Sequence, residues 1–210
     1  MNLLIPKTPG QIRYVEVLKK HAKPVVIAMG PAGSGKTLFA CQEAVERLSR
    51  KHVDRIVLTR PLISADEELG YLPGSMEQKM DPWTRPMFDI LHGYYSSSKV
   101  KQMVKNQIIE ISPLAYMRGR TFDDCFVIAD EMQNSTANQM KMLLTRVGEG
   151  TKMVITGDID QCDLKYGLGG LSDLVPRLNG KELEYLEHIV LENQDVQRHP
   201  VVKEILDIYQ

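Results

Sequence analysis

Eight residues, GPAGSGKT at Gly30–Thr37, constrain this chain more than any other stretch. They fit GxxxxGK[ST], a loop whose backbone N–H groups cradle phosphate oxygens. Such a loop belongs where a buried strand ends and a helix begins, because the helix N-terminus adds its partial positive charge at the same point. The flanks comply. VVIAM (25–29) is an apolar run of strand length, and Leu38, Cys41, Val45 and Leu48 form one apolar stripe of a helix after it. Lys36 is placed to reach the β- and γ-phosphates, and the Thr37 hydroxyl to bind Mg²⁺. The expected nucleotide-binding set runs through Gly30, Pro31, Ala32, Gly33, Ser34, Gly35, Lys36, Thr37 and Leu38. A chance glycine-rich turn is the bland alternative; the strand and helix around it count against that.

The rest of the chain repeats the same alternation. RIVLT (55–59), IIEIS (108–112), FVIAD (126–130) and KMVIT (152–156) join VVIAM as Val/Ile-rich runs of strands buried on both faces, as in a parallel sheet. Met140, Leu143, Leu144 and Val147 mark a second helix, with Asn134 or Ser135 expected as its cap. Strands alternating with helices predict an α/β doubly wound core. No repeat, low-complexity segment or long linker interrupts the 210 residues, and GYYSSSK (93–99) reads as a turn, so one domain is expected over residues 1–210.

FVIADEMQN (126–134) raises a question of charge. Asp130 and Glu131 are adjacent and repel each other. A metal on a phosphate-loop nucleotide needs an acid at the end of a neighbouring strand, and Asp130 fits. Glu131 would then orient and polarise a water for attack on the γ-phosphate. An acidic helix start is the structural alternative. A third piece, TGDIDQ (156–161), also follows an apolar strand, at the edge where such sheets bind ligands. Gln161 could sense the γ-phosphate there and Asp158 could hold the loop or the water; a simple turn is the alternative.

Composition excludes little but is informative. The net charge of −1 names no partner and would hide a local basic strip. No apolar run is long enough to span a membrane, and the prolines of MNLLIPKTPGQ break any signal-peptide core, so a soluble, cytoplasmic protein is expected. Cys41, Cys125 and Cys162 are odd in number and show no CxxC spacing, which argues against a zinc site or a disulfide framework. The five histidines show no ligand spacing. Trp83, Tyr94 and Tyr95 could stack bases but read more readily as core or groove lining. Arg118 and Arg120 could touch phosphates or simply hold a loop.

The three motifs in this order resemble the superfamily-one helicase core. More specifically, LTRPLISADEELGYLPGSMEQKMDPWTRPMFDIL (58–91), YMRGRTFDDCFVIADEMQN (116–134), QMKMLLTRVGEGTKMVITGDIDQCDL (139–164) and DVQRHPVVKEIL (195–206) resemble the PhoH family of phosphate-starvation-inducible ATPases over nearly the whole chain. The resemblance implies a single RecA-like P-loop domain, a mostly parallel sheet flanked by helices, acting on ATP with Mg²⁺. It implies that Gln11 reads adenine, which favours ATP over GTP. Arg60 and the RPLISADEELGYLPG stretch would couple nucleotide state to a bound strand, and Arg198 would be a finger on the γ-phosphate. Ala129 and Met132 stand where many relatives carry Leu and Ala, which are apolar exchanges. Some relatives carry a nuclease-like domain; no nuclease role is carried over to these residues.

Helicases of that class place ATP between two cores, and this chain has room for one. An arginine from outside would then come from another subunit, so a homo-oligomeric ring is expected, and a hexamer would resemble the family. The alternative is an arginine acting in cis. The leading expectation is an ATPase that remodels single-stranded nucleic acid, RNA before DNA. A small-molecule phosphotransferase and a nucleotide-dependent assembly module are the competing classes. Thymidine kinases share D-E-x-Q but usually add a Cys cluster, and a module that only binds ATP would have no use for Glu131.

Overall fold

Six short parallel strands form one sheet in the order β3-β2-β4-β5-β1-β6. The computed structural model describes residues 4–61, 85, 87–164, 167–198, 201–202 and 208. The strands are β1 (Val25–Met29), β2 (Arg55–Thr59), β3 (Ile109–Ile111), β4 (Cys125–Ala129), β5 (Lys152–Gly157) and β6 (Leu186–Val190). Every described pairing is parallel. Central strands β4 and β5 are buried along their whole length, which is why CFVIA and the MVI of β5 read as apolar runs.

The five expected strands are all present, two with the expected ends and three with ends moved by one residue. β4 closes at Ala129, so Asp130 is the first residue beyond the strand rather than its last. β6 is an addition to the expected set. Its sequence LEHIV carries Glu187 and His188 because it is an edge strand, buried at Ile189, partly covered over Leu186–His188 and exposed at Val190.

Helices cover both faces. Against one lie α1 (Pro9–Lys19), α2 (Lys36–Ser49) and α3 (Ser97–Lys105), with a core that includes Tyr14, Phe39, Val45, Val100 and Phe126. Against the other lie α4 (Ala137–Leu144) and α5 (Gly170–Leu178), around Phe122, Val127, Leu143, Met153 and Leu171. The cap of α4 is Thr136, not Asn134 or Ser135. Thr136 Oγ1 accepts from Gln139 N at 3.2 Å, and the Gln139 side chain answers to Thr136 N at 2.9 Å, a reciprocal capping box. Residues 132–134 are instead a 3-10 turn that Ser135 Oγ closes on Met132 O at 2.6 Å. Val147 lies past the end of α4 and bridges Phe122. GYYSSSK divides: Ser96 caps α3, and the helix takes the residues after it.

Candidate functional site

The strand order builds the site. β5 runs between β4 and β1, so Thr156 lies between the residue after β4, Asp130, and the loop after β1, Gly30–Gly35. Thr37 Oγ1, in the first turn of α2, donates to Asp130 Oδ1 at 2.8 Å. Thr156 Oγ1 donates to the same carboxylate oxygen. Two hydroxyls and a buried carboxylate from three separate elements thus converge beside the phosphate loop.

The loop has the backbone that the motif demands. Gly30, Gly33 and Gly35 all have positive φ, at 142°, 86° and 94°. Gly35 caps α2 in the left-handed region, and a Cβ there would meet the Phe39 ring at 2.8 Å. Ser34 Oγ closes the turn on Pro31 O at 2.8 Å. Lys36 Nζ donates to Gly30 O at 2.5 Å and Pro31 O at 2.9 Å. Burial lowers its pKa, while Asp158, Asp130 and Glu131 raise it, in that order, and the Arg198 guanidinium lowers it again. Those five charged groups therefore share one neighbourhood. Ala32 and Leu38 take their expected places in the loop and the first turn of α2.

Glu131 holds a backbone that few residues other than glycine adopt, with φ 53° and ψ 39°. Such strain is sustained only where the surroundings over-determine it. Here Gln133 does so. It is 1% exposed; its Nε2 donates to Glu131 Oε2 at 2.5 Å and to Gln161 O at 3.2 Å, and its Oε1 accepts from Asp158 N at 3.1 Å. Gln133 thereby ties the acid pair to the TGDIDQ turn. Neither Gln133 nor Thr156 is among the residues expected from sequence; the available signals are the glutamine of D-E-x-Q and a threonine near the end of an apolar strand. Gln161 is exposed, and its side chain donates to Asp158 Oδ2 at 2.7 Å.

Gln11, expected to read adenine, lies in the first turn of α1. It is 3% exposed, beneath the loop; its Nε2 donates to Ser34 O at 3.2 Å and Asp195 O at 3.0 Å, and its Oε1 accepts from Lys7 N at 2.9 Å. Both amide hydrogens are engaged by the protein's own backbone. Arg198 lies against the loop of its own chain: a Cβ on Gly33 would come within 2.5 Å of Arg198 Nε.

Several sequence suspects resolve into structure. Arg120 forms a two-bond pair with Glu110, at 2.5 and 2.9 Å, and lies over the Phe122 ring. Tyr94 packs on the core and donates to Gln42 Oε1 at 2.8 Å. Cys41 and Cys125 are buried free thiols and Cys162 is half-buried. Trp83 and residues 62–74 of the coupling stretch lie outside the described residues, which include Arg60 and Pro61. Among the described residues no group of three His, Cys, Asp or Glu side chains could hold a metal, and no helix is long and apolar enough to cross a membrane.

A parallel α/β sheet with a glycine loop ahead of α2 and an acid after β4, the next strand but one from β1, has the architecture of a RecA-like P-loop domain. Solved structures agree on the fold. The large terminase of a thermophilic bacteriophage superposes with a TM-score of 0.58 at 12% identity, over 97% of this chain and 50% of that one. The DUF1998 helicase MrfA, solved bound to DNA, gives 0.50 at 11% identity over 88% and 27%. The family model for PhoH-like proteins matches residues 3–210, and the chain belongs to that family. It is 47% identical to the PhoH-like protein of Bacillus subtilis, over 97% of this chain and 63% of that protein. It is 43% identical to Protein PhoH of Escherichia coli K12, over 86% and 51%. The chain thus spans about half to three-fifths of the curated relatives it matches.

Proposed function

We propose that this chain binds ATP with Mg²⁺ and hydrolyses it. The observation that carries the reading is the convergence of Thr37 and Thr156 on Asp130 next to the phosphate loop. All the donors there are oxygens, one of them a carboxylate, which suits a hard cation that keeps waters and phosphate oxygens for its remaining positions. Thr37 and Asp130 would hold Mg²⁺, whose chemistry when bound is to neutralise charge on the phosphates.

The chain's own residues supply the rest. Loop N–H groups and the α2 N-terminus hold the phosphates, and Lys36 exchanges two neutral carbonyls for charged phosphate oxygens. Gln133 fixes Glu131 through Oε2, which leaves Oε1 to face a water. Glu131 takes a proton from that water as its oxygen bonds to the γ-phosphorus. The bond to the bridging oxygen breaks and ADP leaves. Lys36 and Arg198 offset the charge that builds up on the phosphoryl oxygens.

The partner in this reading is single-stranded nucleic acid, RNA before DNA, and the support is the family and the helicase-type fold. Assembly as a homo-oligomeric ring, a hexamer by family resemblance, is part of the same reading. Arg198 lies against the loop of its own chain, which supports an arginine acting in cis, and the support for the ring is the family resemblance. The test is steady-state ATP hydrolysis with and without single-stranded RNA. Glu131→Gln should bind ATP yet turn it over about 10²-fold or more slowly; unchanged turnover removes Glu131 from the chemistry. Stimulation by RNA supports the nucleic-acid partner, and hydrolysis indifferent to RNA and DNA removes it.

A further inference from the structure

The phosphate loop has a wall that none of the three sequence motifs supplies. Residues 191–198 leave β6 and run along the loop. At one end Leu191 N donates to Met29 O at 2.7 Å, and a Cβ on Gly30 would collide with Leu191 O. At the other end Gln197 N donates to Gly33 O at 3.1 Å, with Arg198 packed over Gly33. Two loop glycines therefore make room for this strap as well as for the curl of the loop.

Asp195 anchors the strap. It is 1% exposed. Its carboxylate accepts from the Thr8 hydroxyl through Oδ1 and from Glu192 N through Oδ2, the latter at 2.8 Å. Gly10 fits so closely that a Cβ there would collide with the carboxylate. Burying a carboxylate is costly unless it is bonded, and the bonds that hold Asp195 come from a hydroxyl and a backbone N–H. Three residues on, the chain delivers Arg198 to Gly33. The Asp195 carbonyl also takes one of the two bonds from Gln11 Nε2, and the other goes to Ser34 O in the loop.

We propose that Asp195 is a positioning residue for Arg198, and that with Thr8 and Gln11 it makes the arginine answer to the phosphate loop of the same chain. The inference rests on the ATPase reading and on Arg198 acting there. Gln11 bonds the loop at Ser34, Asp195 fixes the strap to the start of α1, and the short link through Val196 and Gln197 sets Arg198 beside Gly33. Because Arg198 is exposed at the rim and bears on charge that grows during the reaction, losing its position should act on kcat more than on KM.

The experiment compares ATP hydrolysis by the full chain as wild type, Asp195→Asn, Arg198→Ala and the double variant. Arg198→Ala should lower kcat about 10²-fold or more. Asp195→Asn should lower it about 10-fold with KM within about 3-fold, and the double variant should be no slower than Arg198→Ala alone. Single losses that multiply would overturn the proposal while leaving Arg198 in the chemistry. Wild-type turnover in Arg198→Ala would remove the arginine's role and this inference with it. Absence of Lys36-dependent hydrolysis in the wild type would sink the ATPase reading itself, and the inference would fall too. If Asp195→Asn does not fold, Thr8→Val keeps the carboxylate and removes one of its bonds. It should show the same kcat loss, masked in the Arg198→Ala background, and a multiplied loss there would again overturn the proposal.

Discussion

Two lysines at opposite ends of the sheet make the same kind of contact and serve different ends. Lys36, beyond β1, donates to Gly30 O and Pro31 O. Lys152, at the start of β5, donates to Val17 O at 3.3 Å, Lys20 O at 3.0 Å and Lys23 O at 2.5 Å. Lys36 bonds carbonyls five and six residues away, within its own loop. Lys152 reaches carbonyls 129 to 135 residues away, at the C-terminal end of α1 and the turn after it. There its charge meets the negative end of the helix. Lys36 is half-buried and lies among Asp158, Asp130 and Glu131; Lys152 is 1% exposed and lies beside the buried Arg47–Glu43 pair. In the proposed ATPase reading, an ammonium bonded to its own loop trades those carbonyls for phosphate without disturbing the fold. One that bolts α1 to the sheet cannot. Helix α1 joins the two regions, since its first turn carries Gln11 under the phosphate loop and its last carbonyls rest on Lys152.

The contrast can be broken from either side. The largest effect is expected from Lys36→Ala, with ATP hydrolysis falling about 10³-fold while thermal unfolding moves by about 2 °C or less. A fall in stability comparable with the loss of rate would make Lys36 a structural residue too. Lys152→Ala should do the reverse. It strands three carbonyls, one buried and two part-buried, and opens a cavity, for a loss of about 3 kcal/mol, or roughly 6–12 °C in Tm for a chain of this size. Turnover at a temperature where the variant is folded should stay within about two-fold of wild type. The smallest effect, taken per pH unit, comes from titration. Burial, then the Arg47 guanidinium, lower the Lys152 pKa to about 7, against the carbonyls that favour its charged form. A free lysine titrates at 10.5, so between about pH 7 and that value the unfolded chain holds more protons. This residue's share of stability therefore rises with pH, by at most about 1.4 kcal/mol per unit. Urea unfolding of wild type and Lys152→Met across that window should show the slope in the first and its loss in the second. Parallel curves would mean that Lys152 stays charged throughout.

How much of this is legible in the sequence depends on distance along the chain. The loop is legible in full because its requirements are local: glycines at positive φ, a strand before, a helix after. Asp130 and Glu131 are legible because an acid pair after a buried strand is anomalous by itself. The strained backbone of Glu131 and the buried amide of Gln133 are not, since a glutamine two residues on carries no sign of which way it turns. The α4 cap shows the same limit at short range. Asn134, Ser135 and Thr136 are all good caps, and the 3-10 turn that engages Ser135 decides for Thr136. β6 escapes because an edge strand need bury only one face, and polar Glu187 and His188 blur its pattern.

By itself, then, the sequence determined the class of fold, the phosphate loop and the acid pair, because local backbone conformation and apolar runs of strand length are written in neighbouring residues. Only the tertiary structure decided that β5 lies between β4 and β1, which brings Thr156 to Asp130 and Gln133 to both the acid pair and the TGDIDQ turn. It alone brought Asp195 to Thr8 across 187 residues, and Arg198 to the loop of its own chain. The reason is physical: parallel strands are joined by crossovers, and a crossover leaves open which strand will be its neighbour, so contacts that depend on strand order exist only once the sheet has formed.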